Sequence, residues 1–298
     1  MSHIPVLLNE TLAVLYPKNE DRIIDATFGG GGHTSAILDI CKNCSVFGID
    51  RDPDAMLRAQ SIKNKYQERF NFFPGQFSNI SEILKDHGKF DGILFDFGIS
   101  SFQVDEADRG FSFSKSGNLD MRMSKDGLSA YDVVNSFDEE DLANIIWTYG
   151  DEPKSRRIAS IIVESRKNSK IETTSELRNI VSKAFGFQSI NKQYSKVDVA
   201  TKTFQAIRIF VNDELSEIDK ALKQLPEILN DGARVAAISF HSLEDRIVKT
   251  WSKSNKKFFS PINKAVIKAT KEEILKNPRS RSAVLRGFVY TKDGGEKI

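Results

Sequence analysis

Four short apolar runs punctuate the first hundred residues: RIIDATF (22–28), SVFGID (45–50), FNFF (70–73) and DGILFDFG (91–98). Segments with helical spacing separate them, near 33–42, 53–66 and 79–86. Such alternation specifies a parallel sheet, because parallel neighbours need a crossover and a helix supplies it. Ligands on sheets of this kind bind at the carboxyl ends of the strands. Asp25, Asp50 and Asp96 fall in or at the ends of three of the runs. Asp52-Pro53 reads as the opening of the second helix, with Asp as cap and Pro at the first helical position.

The first run leads into four consecutive glycines, Gly29 to Gly32, followed by His33 and Thr34. Glycine costs backbone entropy, so a run of four marks a place where something approaches the main chain closely. Three ligands compete for a glycine loop between strand and helix. A nucleotide triphosphate needs a Gly-Lys-Ser/Thr ending, and this loop ends Gly-His-Thr. A dinucleotide needs G-x-G-x-x-G and an acid about 20 residues on; the third glycine is missing, while Asp50 supplies the acid. S-adenosylmethionine carries a ribose diol and a sulfonium but no pyrophosphate. It needs an acid for the ribose and little positive charge nearby, and residues 23–34 contain no Lys or Arg.

Further along, the rhythm breaks. Residues 102–130 are rich in Gly, Ser, Asp and Arg without a clear period, and 136–185 has helical spacing throughout. Ser136-x-x-Glu139 and Thr173-x-x-Glu176 are candidate capping boxes. Leu142, Ile145, Ile146 and Tyr149 form one apolar stripe, and Leu177, Ile180, Val181 and Ala184 another. After a polar stretch at 188–202, a single long stripe runs from Phe204 to Leu225. The strand RVAAISF (234–240), a helix through LEDRIVKTW and an extended segment at 282–292 then resume the sheet. The expected organisation is a first part at 1–105, a helical insertion at 106–203 and a second part at 204–298.

Composition adds exclusions. The formal charge is only +2 over 298 residues, so any nucleic-acid surface must come from local clustering. No apolar run reaches the roughly 18 residues of a membrane span. The opening MSHIPVLLNE lacks the pattern of a signal peptide, which makes the cytoplasm the expected location. Cys41-x-x-Cys44 has no second ligand pair at zinc spacing and follows a helix, so it reads as incidental. No metal is expected.

The motifs HIPVLLNE, DATFGGGGHT, IDRDP, FDGILFDFGISSFQ, RGFSF, LDMRM, ATKTFQAIRIFVNDEL, ISFHSLEDRIVK and NPRSRSAVLR occur in order from residue 3 to residue 286. Their succession resembles the bacterial 16S ribosomal RNA (cytosine-N4)-methyltransferase family. The resemblance implies a class I methyltransferase fold, Rossmann-like and mostly parallel, with an all-helical insertion that serves RNA recognition. It implies S-adenosyl-L-methionine as cofactor and 16S rRNA as partner, in the small ribosomal subunit, with one cytidine of the decoding (P-site) region as target. By motif match, cofactor contacts fall on Gly31, Gly32, His33, Asp50, Phe77, Asp96 and Gln103. One departure is local: the family pattern His-Pro-Ala-Thr-Arg-Thr-Phe is replaced by Asp198-Val199-Ala200-Thr201-Lys202-Thr203-Phe204.

The cytosine N4 lone pair is delocalised into the ring, so the reaction depends on positioning and on an acceptor for the amine hydrogen. Asp96, in the turn Asp96-Phe97-Gly98-Ile99-Ser100-Ser101, is a candidate catalytic residue, and a contact to cofactor alone is its alternative role. Ser100 or nearby carbonyls could supply the acceptor instead. His241 is a candidate proton acceptor or RNA contact, with a structural role as the alternative; Glu244 and Asp245 suit helix capping and a pair with Arg246. Arg109, Phe111, Phe113 and Arg122 form a basic, aromatic loop suited to a flipped base, or else a buried loop over the cofactor. Arg279, Arg281 and Arg286, Lys154, Arg156 and Arg157, and the lysines of 253–257 are candidate phosphate contacts. Two rival readings remain: a nicotinamide-dependent oxidoreductase, and a non-catalytic RNA-binding assembly factor.

Overall fold

A computed structural model describes residues 4–186 and 198–294. Most of the polar stretch 188–202 therefore lies outside the described residues, as does the start of the first motif. The chain divides into two units, Met1–Gly98 with Leu215–Ile298, and Ile99–Glu214. The sequence places the boundaries at 105/106 and 203/204. They fall instead at 98/99 and 214/215, because the helix beginning at Thr201 packs with the insertion.

In chain order the first unit opens with α1 (Leu8–Leu15), β1 (Arg22–Asp25), α2 (Gly32–Ile40), β2 (Ser45–Asp50), α3 (Pro53–Tyr66), β3 (Phe70–Pro74), α4 (Ile80–Ile83) and β4 (Phe90–Asp96). The helical unit holds α5 (Ser101–Asp105), α6 (Ala130–Ser136), α7 (Glu139–Gly150), α8 (Ser155–Asn168), α9 (Thr174–Lys183) and α10 (Thr201–Asn212). The chain closes with α11 (Glu214–Ile228), β5 (Leu229–Ser239), α12 (Ser242–Ser254), β6 (Phe259–Pro261), β7 (Ile267–Lys268), α13 (Lys271–Lys276) and β8 (Val284–Tyr290).

The sheet order is β3-β2-β1-β4-β5-β8-β6, with β7 also on β8. The pairs among β1 to β5 are parallel, and β8 runs antiparallel to β5, β6 and β7. Successive side chains alternate between two cores, as the pleat requires. Ile24, Phe47, Ile93, Phe95, Val235 and Ala237 face a core shared with Ile218, Leu222 and Leu225 of α11. Ile23, Val46, Leu94, Ala236 and Ile238 face the other, shared with Val14 of α1 and Ile37 of α2. Both faces are apolar, which is why the strands read as continuous apolar runs.

The predicted stripe from Phe204 to Leu225 is two helices rather than one. Asp213 takes a left-handed conformation (φ 50°), and α11 starts at the next residue. Asp tolerates that region better than most residues, so the periodicity runs on across the break.

Helix openings follow local chemistry. Asp52 caps α3 through the Asp54 amide with Pro53 behind it, and Thr173 with Glu176 forms a capping box on α9, both as the sequence indicates. Ser136 does not cap. It closes α6, Phe137 turns extended, and Asp138 caps α7 through the Asp141 amide. The helical core gathers both predicted stripes, with Leu142, Ile145, Ile146, Leu177, Ile180, Val181 and Ala184 buried. Where the chain departs from the family pattern, Asp198 pairs with Arg178 at 2.7 Å, and Lys202 Nζ donates to the Asp151 carbonyl at 2.8 Å. Cys41 and Cys44 are free thiols in the sheet unit's core, and burial pushes the Cys44 thiol up.

Candidate active site

Parallel strands deliver their last residues to one edge of the sheet, and β1, β2 and β4 all end in aspartate. Asp50 ends β2. Its Oδ2 accepts the Gly29 amide at 2.6 Å and its Oδ1 the Asp52 amide at 2.8 Å. Arg58 Nε donates to the Gly29 carbonyl at 2.8 Å, so the glycine loop is held from both sides. Burial pushes the Asp50 carboxyl up, and the two amides partly offset this.

Asp25 ends β1 and is buried, with Oδ2 accepting the Thr34 hydroxyl at 2.7 Å. Desolvation pushes its carboxyl up to about 6. Asp96 ends β4. Its amide donates to the Thr27 hydroxyl at 2.7 Å, and its Oδ2 lies 3.7 Å from Nε2 of the buried His33. Its Oδ1 is buried without a hydrogen-bond partner among the described residues. Burial, with the charges of Asp25 and Glu244, holds the Asp96 carboxyl well above the usual range.

The glycines have two explanations. Gly29 and Gly31 take positive φ, at 54° and 71°, which favours glycine directly. At Gly31 a Cβ would come 2.8 Å from the Phe28 ring, and at Gly32 it would come 2.5 Å from Cγ of Pro5. Part of the demand for bare backbone therefore comes from the chain's own packing. Phe77, in the turn after β3, lies against Phe95 and Phe97 with centroids 6.0 and 6.1 Å apart.

Beyond β5 the chain turns at His241 into α12. The carboxylate of Glu244 is fully buried and accepts the Phe240 and His241 amides at 2.7 and 3.2 Å. Glu244 is the cap that the sequence suggests. Asp245 is not: both its oxygens bind the guanidinium of Arg286, at 2.7 and 2.9 Å, in place of Arg246. Arg286 is thereby a strut between α12 and β8 rather than an open phosphate contact.

In the helical unit, Gln103 completes a capping box with Ser100, accepting the Ser100 amide at 2.9 Å. The Ser-x-x-Gln spacing carried that signal. Arg109 and Phe111, candidates for RNA contact, are interior. Arg109 donates to the Arg122 and Met123 carbonyls, both at 3.0 Å, and Phe111 joins the helical core. Phe113 meets Phe204 edge-on at 4.8 Å. Arg122 is forked onto Asp120 at 2.7 and 3.0 Å. Arg109 and Phe111 are thus engaged inside the helical unit, while Phe113 and Arg122 are half-buried against partners of that same unit. Arg279 and Arg281 are exposed in the turn before β8.

A central parallel sheet with an antiparallel last strand, and acids closing its central strands around a glycine loop, is the class I methyltransferase fold. The chain belongs to the MraW methylase family, whose model matches residues 1–291. Family membership selects methyl transfer over the nicotinamide reading. The chain is 46% identical over 303 residues to the ribosomal RNA small subunit methyltransferase H of Rickettsia prowazekii (strain Madrid E), covering 95% of this chain and 97% of that protein. The protein of that name from Rickettsia canadensis (strain McKiel) is 51% identical over 254 residues, covering 85% and 80%. Among solved structures, an rRNA methylase from Streptococcus thermophilus aligns over 95% of this chain and 93% of its own, with 9% identity and a TM-score of 0.45. No helix among the described residues is long and apolar enough to cross a membrane.

Proposed function

We propose that this chain is an S-adenosylmethionine-dependent methyltransferase acting on the small-subunit ribosomal RNA, at the exocyclic N4 amine of a cytidine in the decoding region. Supporting this reading are membership of the MraW methylase family and relatives named for small-subunit rRNA methylation. The observation that carries the site assignment is the convergence of Asp25, Asp50 and Asp96 beside one glycine loop, with a buried Asp96 oxygen that has no hydrogen-bond partner among the described residues.

The residues present fit the methyl donor. Gly31, Gly32 and His33 line the approach to the main chain, Asp50 suits a ribose diol, and Phe77 offers an apolar face. Asp96 would stand near the reacting end, and Gln103 is included in the assignment by motif alone. When bound, the donor supplies an electrophilic methyl group on a sulfonium. The protein's part is to hold the base in line, exclude water and accept the amine hydrogen. Asp96 and His241 are the proposed acceptors. RNA recognition is assigned to the helical unit and to Arg279 and Arg281.

The test is mass spectrometry of ribosomal RNA nucleosides from cells with and without the gene. N4-methylcytidine should disappear from small-subunit RNA in the deletion and return with the native gene but not with Asp96→Ala. An unchanged level in the deletion overturns the reading.

A further inference from the structure

Resting on that reading of His241 as proton acceptor, we infer that Glu244 is a positioning residue that fixes which ring nitrogen of His241 accepts the proton. Ile238 of β5 is the register partner of Asp96 on β4, so the turn that follows β5 lies beside the strand end carrying Asp96. Glu244 is close to that end: its Oε1 lies 3.9 Å from where a Cβ on Gly98 would stand. Its Oε2 accepts the amides of Phe240 and His241, which anchors the carboxylate to the backbone. Oε1 then sits 3.1 Å from His241 Nε2. This contact is at hydrogen-bonding distance without hydrogen-bonding alignment, as free enzymes often show before substrate tightens the site.

A carboxylate cannot donate, so the nitrogen it faces must carry the hydrogen. Nε2 is thereby the protonated nitrogen and Nδ1 keeps its lone pair. Nδ1 is buried and has no hydrogen-bond partner among the described residues. As the N4–carbon bond forms, the electron pair of the broken carbon–sulfur bond stays on sulfur. The amine proton passes to Nδ1, and the resulting imidazolium lies against the Glu244 carboxylate. A carboxylate behind a histidine base selects the tautomer in this way, and its amide counterpart presents the wrong one.

Glu244→Gln separates the cap from the tautomer. The glutamine oxygen can still accept both amides, while its NH2 now faces Nε2 and drives the ring hydrogen to Nδ1. The expected result is a kcat lower by roughly 10²-fold, with KM for the donor within about twofold and the fold retained. His241→Ala should lose a similar factor, and the double variant little more. Nitrogen NMR of histidine-labelled protein should show the His241 hydrogen on Nε2 in the native chain and on Nδ1 in the variant. With four histidines in the chain, single substitutions assign the signals. A native kcat for His241→Ala overturns the inference while leaving methyl transfer in place. A slow His241→Ala beside an unimpaired Glu244→Gln, with Nε2 still protonated, overturns the role of Glu244 alone. Absence of N4-methylcytidine with the native protein refutes the functional reading, and the NMR result then judges the tautomer separately.

Discussion

The carboxylate of Asp50 holds the amide of Gly29 at 2.6 Å across 21 residues of sequence, tying the end of β2 to the glycine loop after β1. Its other oxygen is committed to the Asp52 amide at the head of α3. Asp50→Asn keeps one acceptor oxygen and turns the other into a donor, so one of these two amides loses its partner. Because burial already penalises the charge at this position, the fold should tolerate the change. Affinity for S-adenosylmethionine should fall about tenfold, equivalent to about 1.4 kcal/mol, as read by isothermal titration calorimetry. An unchanged affinity would remove Asp50 from the site.

A cationic ligand beside carboxyl groups whose hold on protons is strengthened by burial should draw protons off them. Binding of the methyl donor should therefore release protons, and its affinity should rise with pH between about 5 and 7, around the value to which Asp25 is pushed. S-adenosylhomocysteine, which has a thioether in place of the sulfonium, should show a shallower rise. Calorimetry in buffers of differing ionisation enthalpy counts the released protons directly. Equal slopes for donor and product would mean that these acids do not face the sulfonium.

The strand-end acids were legible because a strand buried on both faces reads as an apolar run, and the aspartate that ends the run stands out. Helix caps were legible where the capping residue directly precedes the helix, as at Asp52 and Thr173, but not at Ser136, where a short extended step intervenes. The break at Asp213 was hidden because α10 and α11 keep the same apolar periodicity across it. Arg109 stayed open between two roles for a different reason. A buried arginine that satisfies backbone carbonyls looks, in sequence, like an arginine awaiting a phosphate. The contact of Glu244 with the His241 ring was beyond reach, since i and i+3 spacing also describes an ordinary capping box.

Asp25 makes a prediction about stability. Its carboxyl is pushed from 3.8 up to about 6 in the folded chain, so between those values the native state holds a proton that the unfolded state has lost. Raising pH through that window favours unfolding, at a cost on the order of 3 kcal/mol from this group once pH exceeds 6. Asp25→Asn keeps an acceptor for the Thr34 hydroxyl and removes the charge. Urea denaturation at about pH 4.5 and pH 7.5 should show a smaller loss of stability for the variant than for the native chain. Parallel pH profiles would contradict the raised carboxyl.

Arg279 and Arg281 differ from Arg286 in what they can do for RNA. The first two are exposed, whereas Arg286 is forked onto Asp245. Replacing Arg279 or Arg281 with Ala should weaken binding to small-subunit RNA and reduce the slope of log affinity against log salt by about 0.7–0.9 for each phosphate no longer neutralised. Arg286→Ala should leave that slope unchanged and cost about 1 kcal/mol of stability, the pair being only partly screened by solvent. The opposite assignment of effects would return Arg286 to the RNA surface.

Gly32 decides whether the bare backbone serves the ligand or the fold. A Cβ there would stand 2.5 Å from Cγ and 3.3 Å from Cδ of Pro5, but 3.7 Å from its Cβ. Gly32→Ala should therefore destabilise the chain by about 1–3 kcal/mol through overpacking. Pro5→Ala removes the two ring carbons that clash and retains the one that does not, so the double variant should recover at least about 1 kcal/mol, measured as a double-mutant cycle. Donor affinity in that rescued protein then isolates the second role. If it returns to the native value, Gly32 is glycine for the sake of Pro5 alone. If it stays weak in a chain of restored stability, the added methyl group occupies space that the donor needs.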